Sequence, residues 1–89
     1  MAGVVNMRNI LGTTLENYKT RIFAFVVDYK RQYDGVSPTN KEIRDHIKCS
    51  SSDLIVALDS LIREGLLQRN PKQRNSLMVP GATWTYDNG

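Results

Sequence analysis

One cysteine, Cys49, and one histidine, His46, are the only residues of either type in 89. An internal disulfide is therefore impossible. The pair has the spacing H-x-x-C, too few ligands for a structural zinc site. A lone thiol fits a reducing, intracellular setting. No stretch approaches the roughly 20 apolar residues of a membrane span. The first residues, interrupted by Asn6, Arg8 and Asn9, hold no run suited to a signal peptide. The chain is thus expected in the cytoplasm. A phosphate-binding glycine loop is missing, and no Ser/His/Asp set can be completed except through His46. Catalysis and a bound cofactor or metal are not expected. Internal repeats and low-complexity tracts are also absent.

What the chain has is enough for one small domain with one core: 40% hydrophobic residues and 24% charged ones. A chain this short offers more room for a binding surface than for an enzyme cleft. The formal net charge is +3 and the pI about 9.2, which suits a polyanionic partner. The excess is uneven. Residues 1–35 and 65–89 are net basic, and residues 36–64 are slightly acidic.

Residues 1–12 show neither helical nor strand periodicity and read as a flexible arm, leaving 13–86 as the domain. Thr13 and Glu16 have capping-box spacing. Leu15, Tyr18, Ile22, Phe25, Val26, Tyr29 and Tyr33 then recur at helical spacing, predicting a first helix over 14–33. Phe23 and Val27 lie off the centre of that face. They belong either to a wide stripe wrapped by the domain or to a dimer seam. Pro38 keeps Ser37 extended. Thr39 and Glu42 form a second capping box, opening a short helix that buries Ile43 and Ile47. After a turn at Lys48-Cys49, Ser50 caps a third helix, with Asp53 at its positive end. Leu54, Leu58, Leu61 and Ile62 face the core there, flanked by Ile55. Gly65 ends that helix in a left-handed cap.

Beyond Gly65 the period changes. Residues 66–69 and 76–79 read as two strands, with turn chemistry over Asn70–Asn75. Residues 82–86 supply a short extra strand or pack on the first helix, with Trp84 and Tyr86 covering the core. The expected architecture is mainly α with a small β-hairpin: three helices plus a two- or three-stranded sheet.

Two capped short helices, a glycine stop and a basic hairpin resemble a winged helix-turn-helix of transcription regulators over residues 20–80. The run Pro38-Thr39-Asn40-Lys41-Glu42-Ile43 resembles the start of the second helix in LexA-type repressors. Asp59 through Leu61 to Gly65-Leu66-Leu67-Gln68-Arg69 resembles the end of the recognition helix and the first wing strand of LexA-like and MarR-like domains. The resemblance implies a nucleoid-associated regulator that puts its third helix in the major groove of double-stranded DNA. Base reading would fall to Ser51, Ser52, Asp53, Val56 and Ala57, with Ser60 further along. No Arg, Lys, Asn or Gln lies between Ser50 and Ile62, so the strongest base-reading side chains are missing. Grip on phosphates would come from Lys41, Arg44, Lys48, Arg69, Lys72 and Arg74. Few base donors mean weak binding by one copy. A homodimer through the first helix (Phe23, Val27) or the C-terminal segment would remedy that. The alternative is a winged-helix module that docks protein through Ile55, Val56 and Ala57, since a fold does not fix a function.

Overall fold

A computed structural model describes the backbone of residues 2–73 and 76–82, with side chains from Thr14 onward. It is mainly helical. Helix α1 (Ala2–Gln32), α2 (Asn40–Ile47) and α3 (Ser51–Arg63) precede two short antiparallel strands, β1 (Gln68–Arg69) and β2 (Leu77–Met78). Gln68 pairs with Met78 and Arg69 with Leu77. No helix among the described residues is long and apolar enough to cross a membrane.

Helix α1 begins at Ala2, not at residue 14. Residues 2–12 continue the helix instead of forming an aperiodic arm, and Thr13 lies inside it instead of capping it. No proline precedes Pro38, and Gly3 and Gly12 each cost only about 1 kcal/mol. Absence of an apolar stripe therefore did not mean absence of helix. The 31 residues span about 46 Å.

The buried face of α1 is also rotated from the expected one. Its centre is Lys19, Ile22, Val26 and Lys30, spaced 3, 4 and 4. Tyr18, Phe25 and Tyr29 lie half-buried to one side, and Tyr33 is exposed. A lysine thus closes each end of the apolar stripe, its methylenes in the core and its amine on a partner. Lys19 Nζ bonds Glu64 of the α3 cap and Glu16 at 3.2 Å. Lys30 Nζ donates to the carbonyls of Gly35 (2.7 Å) and Leu77 (2.8 Å).

The shorter helices follow their caps. Thr39 Oγ1 accepts from the Glu42 N–H (3.1 Å), and Glu42 Oε1 accepts from the Thr39 N–H (2.8 Å). Ser50 Oγ accepts from the Asp53 N–H at 3.1 Å. Ile43 and Ile47 of α2, and Leu54, Ala57, Leu58 and Leu61 of α3, close on Ile22 and Val26. Leu67 and Leu77 bring the hairpin onto the same core.

Each helix ends in the left-handed region. Gly65 (φ 81°) closes α3: its N–H reaches the Ile62 carbonyl and the Leu66 N–H reaches that of Leu61, both at 3.0 Å. This is the paired-bond pattern of a Schellman cap. Asp34 (φ 55°) and Lys48 (φ 65°) take this conformation after α1 and α2 without being glycine.

Candidate nucleic-acid interface

The turn between α2 and α3 sets what faces outward. Lys48 stands on it in the left-handed conformation, its N–H on the Arg44 carbonyl at 2.6 Å. Arg21 of α1 reaches the Ile47 carbonyl at 3.4 Å, a cation on the negative end of α2. The sequence offered no signal for this contact, because it joins residues 26 positions apart.

Helix α3 is anchored along one side by Leu54, Ala57, Leu58 and Leu61, the i, i+3, i+4, i+7 pattern of a buried face. Ala57, expected on the reading face, is fully buried. Its place three residues after Leu54 and four before Leu61 puts it on the core side, and the spacing could have shown this. Ile55, expected to flank the core, is 52% exposed, and Val56 is 54% exposed. The outward stripe is therefore Ser51, Ser52, Ile55, Val56 and Asp59, with Asp53 at the edge of the first turn. Among the described residues nothing hydrogen-bonds the hydroxyls of Ser51 or Ser52.

Charge around this stripe is segregated. The exposed part of α3 carries Asp53 and Asp59, and no cation before Arg63. Two of the expected phosphate cations are held by carboxylates. Lys41 Nζ lies 2.8 Å from Asp45 Oδ2, and this hydrogen bond holds the Asp45 carboxyl below its ordinary value. Arg69 lies 3.7 Å from Asp59, joining the hairpin to the outer face of α3. Arg44 is half-buried, while Lys48 and Lys72 are exposed. No ion pair of these three is seen among the described residues. Asn70 Oδ1 accepts from the Lys72 N–H at 2.8 Å, an Asx turn that shapes the hairpin tip. Arg74, Trp84 and Tyr86 lie outside the described residues.

A cleft of about 360 Å³ opens between α1 and the first turns of α3, lined by Thr14, Leu15, Tyr18, Asp53 and Val56. Phe23 packs half-buried against the core, in a smaller hollow with Leu61 and Leu66. Val27 is half-buried beside it on α1. On the opposite side His46 stacks on Phe25, ring centroids 4.3 Å apart. Cys49 is half-buried, and desolvation followed by the Asp53 charge pushes its thiol above the ordinary value. Among the described residues no group of three His, Cys, Asp or Glu side chains could hold a metal ion.

Compared with known proteins, the chain matches no family model, no curated protein and no solved structure.

Proposed function

We propose that this domain binds double-stranded DNA as a winged helix-turn-helix and acts as a transcription regulator. The observation that carries the reading is the outer stripe of α3. It is solvent-exposed from Ser51 to Asp59, fixed from behind by four buried side chains, and flanked by a cation-bearing hairpin. A helix so presented fits a major groove. Ser51 and Ser52 would meet base edges, Val56 a thymine methyl, and Asp53 a cytosine amine. Arg44, Lys48, Arg69, Lys72 and Arg74 would lie on phosphates beside it. Such a protein would sit with the nucleoid in the cytoplasm.

With four or five cations reaching phosphates, the slope of log K against log salt is expected to be about −3.6 to −4.5 for one copy. Sequence preference is expected to be shallow, because no bidentate reader is present. A second copy joined through α1 (Phe23, Val27) or the C-terminal segment would add a second half-site. The test is a fluorescence-anisotropy titration of the protein on a short duplex at several salt concentrations. The reading is wrong if no duplex is bound at low salt, or if Lys72→Ala and Arg74→Ala together leave the slope unchanged.

The exposed neighbours Ile55 and Val56, with two carboxylates beside them, favour a second reading: docking of a protein. A cellular partner that survives nuclease treatment and is lost on Val56→Asp would favour that reading over DNA.

A further inference from the structure

The hairpin is too small to hold its own place. Two strands of two residues make a ribbon that is marginal in water without support. Its inward contacts are Leu67 and Leu77, with Val79 packed half-buried beside them. Besides the exposed Arg69–Asp59 ion pair, its polar support converges on one residue. Leu77 stands opposite Arg69, and the Asn70 N–H reaches the Ser76 carbonyl at 2.9 Å. That alternation turns both backbone polar groups of Leu77 away from β1. Among the described residues neither meets a third strand. The Leu77 N–H donates to Ser37 Oγ at 3.0 Å, and its carbonyl accepts from Lys30 Nζ at 2.8 Å. Ser37 in turn donates to the Pro38 carbonyl (3.1 Å), and Lys30 also holds the Gly35 carbonyl. Two side chains thus close the sheet edge and tie β2 to the end of α1 and the loop after it.

We propose that Lys30 is a positioning residue for DNA binding. This rests on the DNA reading above. Its fully buried amine seats the hairpin that carries Arg69 and Lys72, and does so without touching nucleic acid. A cation that grips phosphate and one that seats the gripping element differ in their salt signature. The first contributes to the slope of log K against log salt. The second changes affinity at constant slope, because the same phosphates are reached once the hairpin is seated.

The experiment compares the full chain with Lys30→Met, which keeps the apolar stem and removes the amine. Without DNA, amide hydrogen exchange is expected to accelerate at least about tenfold at Asn70 and Leu77, and to stay unchanged at Leu58 in α3. On a short duplex, affinity is expected to fall about three- to tenfold with the salt slope unchanged. Unchanged exchange at Leu77 overturns the proposal, as does full affinity with the hairpin loosened. A slope shallower by about one overturns it too, since Lys30 would then be reaching phosphate itself. If Lys30→Met does not fold, Ser37→Ala leaves Lys30 in place and removes the acceptor for the Leu77 N–H together with the bond to the Pro38 carbonyl. Unchanged hairpin exchange and affinity in that variant overturn the proposal equally. If the unaltered chain binds no duplex at low salt, the DNA reading fails and takes the binding role of Lys30 with it. The exchange data then judge the seating of the hairpin alone.

Discussion

Lys48 holds a position that suits glycine better, and this gives a prediction with two opposite signs. Its backbone lies at φ 65°, ψ 53°, where the Cβ crowds the following carbonyl at about 1–2 kcal/mol. Glycine removes that crowding but adds freedom to the unfolded chain, offsetting about 0.5–1 kcal/mol. Lys48→Gly is therefore expected to stabilise the domain by about 0.5–1 kcal/mol, or to raise Tm by about 2–8 °C for a domain of this size. The N–H that reaches the Arg44 carbonyl remains, so the cap survives. The same substitution removes a cation expected to lie on a phosphate, so the salt slope for duplex binding should become shallower by about one. Lys48→Ala separates the effects: it loses the charge and keeps the Cβ, giving the weaker binding with no gain in Tm. Thermal melts by circular dichroism and anisotropy titrations of the three proteins measure both. If Lys48→Gly melts no higher than Lys48→Ala, the strain argument is refuted. If both bind DNA with the unaltered slope, Lys48 does not contact phosphate.

Other outcomes can be checked on the same material. Asp45→Asn and Asp59→Asn each release a cation, Lys41 or Arg69, and are expected to strengthen duplex binding and steepen its salt slope by up to about one unit; weaker binding would show that these carboxylates serve the complex. Glu64→Gln tests the pair with Lys19. The hydrogen bond from Lys19 holds Glu64 below its ordinary 4.5, so the contribution is present above that pH and is lost as pH falls through the lower folded value. Lys19 is raised above 10.5, first by its bond to Glu64, so its contribution is present below that pH and is lost as pH rises through the higher value. The Tm gap between the two proteins should thus be widest between about pH 5 and 10 and close toward acid; a gap independent of pH would refute the pairing. Ala57→Leu is expected to cost about 1–3 kcal/mol by overpacking the core, whereas a residue on the outer face would change stability by less than about 0.5 kcal/mol in denaturant titration. Cys49 should react with iodoacetamide more slowly than free cysteine near neutral pH, and reaction at the free rate would contradict its desolvation.

Much of the fold was legible because its signals are local. Thr39 with Glu42, Ser50 with Asp53, and Gly65 each act within one helical turn, so the starts of α2 and α3 and the end of α3 could be read residue by residue. Ile43, Ile47, Leu54, Leu58 and Leu61 followed from spacing alone, as did the change of period after Gly65. Residues 2–12 were misread because an aperiodic sequence without a breaker can still be helical. Ala57 was misplaced by a resemblance that outweighed its own spacing.

The candidate site was legible in composition but not in charge balance. The sequence supplied the identities of Lys41, Arg69 and the serines of α3. Only the folded chain put Asp45 on Lys41 and Asp59 on Arg69. Only it turned Ile55 outward and set Lys19 and Lys30 into the buried stripe of α1. Hydropathy marks a lysine as a surface residue. The partners that permit its burial, Glu64 for Lys19 and the carbonyls of Gly35 and Leu77 for Lys30, mostly lie far along the chain. Caps and periodicity arise among neighbours in sequence, so the sequence determines them. The seating of the hairpin depends on oxygens that only tertiary packing brings within reach of an amine.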